Sequence, residues 1–209
     1  MILRLRRWLG LERAGDELPL RAPRWVVVDC ESGGLDPRRD PLLSVGAVAV
    51  REGRIQHAES FGAVLRQARA SDAANILIHG IGAEAQMLGR DPGAVLRDFV
   101  HFAGEGPLVA FHAAFDRALL ARAIPGWQPR WLDLALLAPA LFPARAAACR
   151  SLDEWLAAFS IGHPARHDAL ADAYATAQLL LVLLAEAERQ RLGRVRDLFA
   201  TERGRRWLG

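Results

Sequence analysis

Trp25-Val26-Val27-Val28-Asp29-Cys30-Glu31-Ser32-Gly33-Gly34-Leu35-Asp36-Pro37 is the stretch from which the fold is read. Its apolar, β-branched run stops at glycines and a proline, the pattern of a buried strand that ends in a turn. Side chains alternate along a strand, so Asp29 and Glu31 point to one side and can converge on one point. Two carboxylates held that way repel each other unless a cation or a shared proton neutralises them. The same pair would also suit a solvated strand end, so its meaning depends on what the rest of the chain brings to it.

The apolar segments Leu42 to Val50 and Arg54 to Val64 are separated by Arg51-Glu52-Gly53, a hairpin signal. With the first strand they form a contiguous antiparallel set of three. After the cap-like pair Ser71-Asp72 comes a short segment ending in His79-Gly80-Ile81-Gly82, whose glycines let backbone approach a ligand closely. His79 by itself fits a structural histidine as well as a functional one. Asp91-Pro92 opens a helix with Asp as N-cap and Pro at the first helical position, and Val95, Leu96, Phe99 and Val100 share one face. That helix is expected to stop near Gly104 and Gly106.

Pro107 to Phe111 reads as a fourth, buried strand that passes through His112 into the helical spacing of Phe115-Asp116-Arg117-Ala118-Leu119-Leu120. Asp116 therefore lies at or just inside a helix start, where an acid also complements the helix dipole. Trp131-Leu132-Asp133-Leu134 begins another short strand or helix, and Ser151 with Glu154 has the spacing of a capping box. The last strong element runs from about Asp168 to Arg191, with consecutive aliphatic residues from Leu179 to Leu184. It reads as a buried helix whose apolar part is too short to cross a bilayer. At its start, His167 and Asp172 would sit about 140° apart if both were helical. They converge only if His167 lies in the loop before the helix.

These readings predict one α/β domain built on a five-stranded mixed sheet flanked by helices. At 209 residues, 52% hydrophobic and 24% charged, the chain is globular and long enough for one sizeable core. The expected division is a basic N-terminal extension over 1–22, the domain over 23–191 and a basic C-terminal tail over 192–209. The N-terminal stretch mixes arginines into its apolar residues and lacks the uninterrupted apolar segment of a secretory signal, so a cytoplasmic location is expected. Cys30 and Cys149 lack metal-site spacing and read as buried thiols. The net charge is +3 and all 27 basic residues are arginine, unevenly spread, with seven from Arg189 to Gly209 against Asp197 and Glu202, a distribution suited to phosphate contacts or to a solvated helix face. The pentapeptide Arg-Arg-Trp-Leu-Gly occurs at Arg6 to Gly10 and again at Arg205 to Gly209. Either chance in an arginine- and leucine-rich chain or a shared docking task at both termini explains the repeat.

Asp29 and Glu31 at a strand end, Asp116 at a strand-to-helix junction, and His167 with Asp172 at a final helix together resemble the DEDDh family of 3′-to-5′ exonucleases. That family includes the proofreading subunit of bacterial replicative DNA polymerase. Its first motif, Asp-x-Glu-Ser/Thr-Thr-Gly, is similar to Asp29-Cys30-Glu31-Ser32-Gly33-Gly34, with Gly33 in place of Thr. Its second, His-Asn-Ala-x-Phe-Asp, resembles Phe111-His112-Ala113-Ala114-Phe115-Asp116, with Phe for His and His for Asn. The third, His-x-Ala-x-x-Asp, is met in full by His167, Ala169 and Asp172.

The resemblance implies an RNase H-like fold and release of nucleoside 5′-monophosphates from single-stranded or frayed DNA ends. It implies metal ligation by Asp29, Glu31, Asp116 and Asp172, and general-base catalysis by His167. Ser32, Gly33, Gly34, Leu35, His79, His112 and Phe115 would then lie on the substrate side. Oxygen-only ligation from four carboxylates selects two Mg²⁺ or Mn²⁺ ions over zinc, and a histidine beside them can take the proton of an attacking water. Asp168, four residues before Asp172, competes for the ligand role but suits the helix N-cap better. An RNA-trimming exonuclease with the same residues, and a catalytically silent subunit that holds a 3′ end for a polymerase or repair partner, are the rival readings. DNA ends are the more expected partner, and oligomeric state is open.

Overall fold

The computed structural model describes residues 15–162 and 167–206. Three strands come first: β1 (Trp25–Ser32), β2 (Leu42–Arg51) and β3 (Arg54–Val64). They pair antiparallel, and the β2–β3 loop is only Glu52 and Gly53, at φ +52° and +69°. Two successive residues with positive φ make the tight hairpin turn whose twist matches the flanking strands. Helices α1 (Ala73–His79), α2 (Ala83–Leu88) and α3 (Pro92–Ala103) follow, the last capped by Asp91, which accepts from Ala94 N–H at 2.9 Å. Then come β4 (Leu108–Ala110), α4 (Ala113–Ala123), β5 (Trp131–Asp133) and α5 (Leu134–Leu141). Helices α6 (Leu152–Ala158), α7 (Ala169–Arg189) and α8 (Val195–Arg206) complete the chain. The Ser151–Glu154 capping box opens α6 as expected.

The sheet order is β3-β2-β1-β4-β5, with β4 and β5 parallel to β1, so it is mixed and five-stranded as the sequence predicts. Alternation along β1 sorts its residues between two cores. Trp25 and Val27 join Val48, Val50, Val109 and Leu132 against α5, α6, α7 and α8. Val26, Val28 and Cys30 join Val45, Ala47, Leu108 and Ala110 against α3 and α4. Asp29 and Glu31 continue the odd-numbered series and therefore face α7.

Helix α7 is 21 residues long and apolar enough overall to cross a bilayer, which corrects the expectation drawn from its aliphatic run alone. Its Leu179, Leu180, Leu183 and Leu184 are buried in the first core, which accounts for that apolarity. The segment read as a basic tail from 192 also changes character. It contains α8, whose Val195, Leu198 and Phe199 are buried, while Phe199 stacks on Trp25 at 6.3 Å and under the Arg130 guanidinium at 3.4 Å. Each such apolar side chain contributes roughly 1.5–3 kcal/mol by burial, so a chain cut at Leu192 forfeits a large share of a typical domain's stability. Arg196 and Arg203 lie exposed on the outside of this packed helix. At the other end, Leu20 is buried and accepts from the Trp25 indole N–H at 2.8 Å, so part of the N-terminal extension is also packed. Most of the N-terminal extension, including the first Arg-Arg-Trp-Leu-Gly copy, and Trp207 to Gly209 of the second lie outside the described residues.

Candidate active site

Strand β1 delivers its carboxylates at a break in register. Pairing with β2 shifts between Glu31 and Ser32, a bulge that lets the chain leave the sheet immediately after Glu31. The loop that follows is tied down at each glycine. Gly33 N–H donates to Pro41 O at 2.9 Å, and the Asn75 amide of α1 donates to Gly33 O at 2.6 Å. Ser32 Oγ donates to Gly34 O at 2.5 Å, and Asp40, which accepts from Asp36 N–H at 2.8 Å, packs against Gly34. Leu35 is left 86% exposed at the loop's tip.

Helix α7 supplies the opposite wall. Asp168 is its N-cap, accepting from Ala171 N–H at 2.8 Å, and this leaves Asp172 as the inward carboxylate. His167 lies in the turn before the helix at φ +61°, and its backbone N–H donates to Asp172 Oδ2 at 3.1 Å. The condition for His167 and Asp172 to converge is thus met. One ligand-capable atom each from Glu31, His167 and Asp172 lies within 4.8 Å of the others.

Asp116 arrives from the other face, in the first turn of α4. It is 4% exposed, and its Oδ1 accepts from the backbone N–H of Cys30, the residue between Asp29 and Glu31. Burial raises its carboxyl from 3.8 to about 7, against hydrogen bonds from its own N–H and from Cys30, with Asp133 pushing the same way as burial. The Cys30 thiol is likewise pushed well up by burial and by the surrounding carboxylates Asp116, Asp29 and Glu31. A set of oxygen donors gathered around one strand end, with the Asp116 carboxyl raised by burial, fits a hard divalent cation. The folded pKa of Asp116 lies above its unfolded one, so the folded state holds the extra proton between about pH 4 and pH 7. That stabilisation is complete below this window and lost as pH rises through about 7. In chelator, the parent's melting temperature is therefore expected to fall from pH 5 to pH 8 relative to Asp116→Asn. Parallel melting profiles would remove Asp116 as the cause.

His79 is 2% exposed at the end of α1, where Gly80 at φ +69° stops the helix. Its Nδ1 accepts from Ile81 N–H at 3.0 Å, which places the proton on Nε2, and no described residue accepts from that buried donor. Burial lowers its pKa, against a backbone hydrogen bond, and His167 adds a smaller push in the same direction as burial. The backbone carbonyl of His167 lies 4.0 Å from where a Gly80 Cβ would be, so α1 abuts the α7 entry. His112 sits at φ +61°, ψ +47°, a left-handed conformation that Asn and His tolerate better than most residues. This accounts for His112 where the family motif has Asn. Phe115 is partly buried against the core on the α4 side.

Three contributors escaped the sequence. Asn75 clamps the Gly33 loop; Asp133 accepts from His112 N–H at 3.1 Å and Ala135 N–H at 2.9 Å, fixing the turn into α4; Gly46 lies opposite Asp29. Asp133 had a signal, an acid at a strand end before a helix. The departure at Gly33 is also explained: a Cβ there would lie 2.9 Å from Pro41 Cγ, 3.0 Å from Pro41 Cδ and 3.3 Å from Ser71 Oγ. Restoring the family residue, Gly33→Thr, is expected to destabilise by about 1–3 kcal/mol through overpacking and to slow turnover. A thermal melt and a rate assay check this; a Thr variant as stable and active as the parent would contradict it.

Residues 26–180 match the family described as "Exonuclease", of the RNase T type. The chain is 31% identical over 162 residues to a PolC-type DNA polymerase III of Thermotoga petrophila, covering 75% of this chain and 12% of that protein. It is 35% identical over 182 residues to a DNA polymerase III subunit epsilon-like protein of Rhodobacter capsulatus, covering 84% of this chain and 26% of that one. The chain is thus much shorter than either relative. Among solved structures, Escherichia coli Exonuclease I in complex with a dT13 oligonucleotide aligns with TM-score 0.69 at 19% identity, covering 80% of this chain and 42% of that one. Exonuclease X in complex with 5′ overhanging duplex DNA aligns with TM-score 0.64 at 22% identity, covering 78% of this chain and 93% of that one. These two likenesses establish the fold.

Proposed function

Because the chain belongs to the DEDDh exonuclease family, we propose that it removes nucleoside 5′-monophosphates one at a time from the 3′ end of single-stranded or frayed DNA. The observation that carries the reading is the convergence of Glu31, His167 and Asp172 within 4.8 Å, with Asp116 held one residue away on Cys30 N–H. The family is divalent-metal dependent, and the cations proposed here are two Mg²⁺ or Mn²⁺ ions. Asp29 would be shared between them, Glu31 and Asp172 would hold the ion nearer the attacking water, and Asp116 the second. When bound, such ions supply charge neutralisation at the scissile phosphate and at the leaving 3′ oxygen.

His167, exposed at the rim, takes the proton of the attacking water as general base. Asp172 holds the backbone of His167 in place through its Oδ2. The Nε2–H of His79 is a buried donor suited to the phosphate or sugar of the terminal nucleotide, and binding there would satisfy it. Leu35 offers an exposed apolar surface to an unstacked base, consistent with single-stranded ends. The DNA polymerase III relatives support DNA as substrate and a replication polymerase as partner. The test is degradation of labelled single-stranded DNA, duplex DNA and RNA of equal length, with Mg²⁺, with Mn²⁺ and with chelator. Metal-dependent, stepwise loss of 5′-monophosphates, fastest on single-stranded DNA, is expected. Faster loss from RNA would make it a ribonuclease, and binding without cleavage would make it a silent subunit.

A further inference from the structure

On β2, Gly46 lies directly across from Asp29, and on β3, Gly62 lies across from Gly46. Cross-strand neighbours project to the same face, so the two glycines form a notch in the α7 face of the sheet beside Asp29. A Cβ on Gly46 would lie 2.2 Å from the Ala169 carbonyl carbon, 2.2 Å from Leu170 N and 2.3 Å from Ala169 O. A peptide unit of the first turn of α7 thus occupies the place where any other residue would carry its side chain. At Gly62 the obstacle is softer, Leu170 Cδ2 at 3.3 Å. Glycine inside a strand weakens it and often marks a close approach of another backbone.

The residues around that peptide show what the approach serves. His167 lies two positions before Ala169, and Asp172 two positions after Leu170. The turn between them is stiff, closed by Asp168 Oδ1 accepting from Ala171 N–H and by Asp172 N–H donating to Asp168 O, both at 2.8 Å. A displaced Ala169–Leu170 peptide therefore carries Asp172 and His167 with it. To reach ordinary contact with a methyl group, that peptide must recede by about 1 Å, since carbon contacts settle near 3.5 Å. Metal ligation tolerates only about 0.2 Å, and a misplacement of about 1 Å in a catalytic centre costs on the order of 100-fold.

We propose that Gly46, assisted by Gly62, is a positioning element that sets the distance between the carboxylates of β1 and the Asp172–His167 pair of α7. The proposal rests on the metal-dependent reading of the site. The experiment compares the full chain with Gly46→Ala, Gly106→Ala, Gly62→Ala and Gly62→Ala/Leu170→Ala. Gly106→Ala is a matched control, because a Cβ there would lie 2.2 Å from Arg24 O, before β1 and β4 and away from the site. Mn²⁺ binding by calorimetry, melting temperature in chelator, and kcat and KM on a single-stranded oligonucleotide are measured for each.

Gly46→Ala is expected to weaken Mn²⁺ binding by about tenfold or more and to lower kcat by about 100-fold, with KM changed far less. Gly106→Ala melts earlier but binds Mn²⁺ within about twofold of the parent. Gly62→Ala loses about threefold in affinity, and adding Leu170→Ala restores it. Parental Mn²⁺ affinity in folded Gly46→Ala, or an equal loss in Gly106→Ala, overturns the proposal alone. If Gly46→Ala does not fold, the Gly62 pair decides, and a loss that Leu170→Ala leaves in place overturns the proposal. A parent that binds no Mn²⁺ overturns the reading beneath it and the proposal with it.

Discussion

Asp29→Ala is expected to retain at most a few per cent of the parental turnover with Mg²⁺ while keeping its fold and its melting temperature in chelator. The residue sits on the central strand, in register with Gly46, on the same face as Glu31 and under the first turn of α7. As the ligand proposed to be shared by both cations, it is the one whose loss disables water activation and leaving-group stabilisation together. The fold does not depend on it, because β1 is anchored by Trp25 to Val28, all of them buried. Removing one carboxylate from a cluster that repels itself lowers the electrostatic cost of the metal-free state. Asp29→Asn separates charge from shape and should be as inactive as the alanine variant. Rates on a labelled oligonucleotide and melts in chelator decide the matter: a residual rate well above a few per cent would place Asp29 outside the metal cluster.

The parts of this site legible in the sequence are those set by local rules. Alternation placed Asp29 and Glu31 on one face, glycine marked the β2–β3 turn, and the capping preference of Asp168 left Asp172 as the inward acid. Each is decided within a few residues of chain. What stayed hidden depends on contacts between distant segments. The need for glycine at position 46 comes from a peptide more than a hundred residues later, and the clamp from Asn75 joins α1 to a loop far upstream. The packing of α8 was hidden for a related reason. The arginines of α8 dominate its composition, whereas its few apolar residues complete a core formed by Trp25 and α5. The motif departures are compensated locally. Pro41 and Ser71 take up the space of a side chain at Gly33, and His112 adopts the left-handed backbone its position requires.

His167→Ala is expected to slow turnover by roughly two to four orders of magnitude, the usual worth of a positioned general base, with Mn²⁺ affinity nearly unchanged. The geometry alone leaves two roles open, since a ring nitrogen within 4.8 Å of Glu31 and Asp172 oxygens could serve as ligand or as base. The ligand role is disfavoured because an oxygen-rich carboxylate set suits Mg²⁺ or Mn²⁺ without nitrogen. It is disfavoured also because His167 reaches Asp172 through its backbone N–H, a bond alanine preserves. The φ of +61° complicates the alanine variant, as left-handed backbone costs a residue with a Cβ roughly 1–2 kcal/mol. His167→Asn controls for that, because asparagine accepts this conformation but cannot act as a base near neutrality. The base reading therefore predicts that Asn is as slow as Ala, and that His167→Tyr, whose phenolic oxygen can still accept a proton, is faster than both. Recovery of the rate in the Asn variant would assign the loss to the backbone, and Mn²⁺ affinity falling in step with the rate would make His167 a ligand.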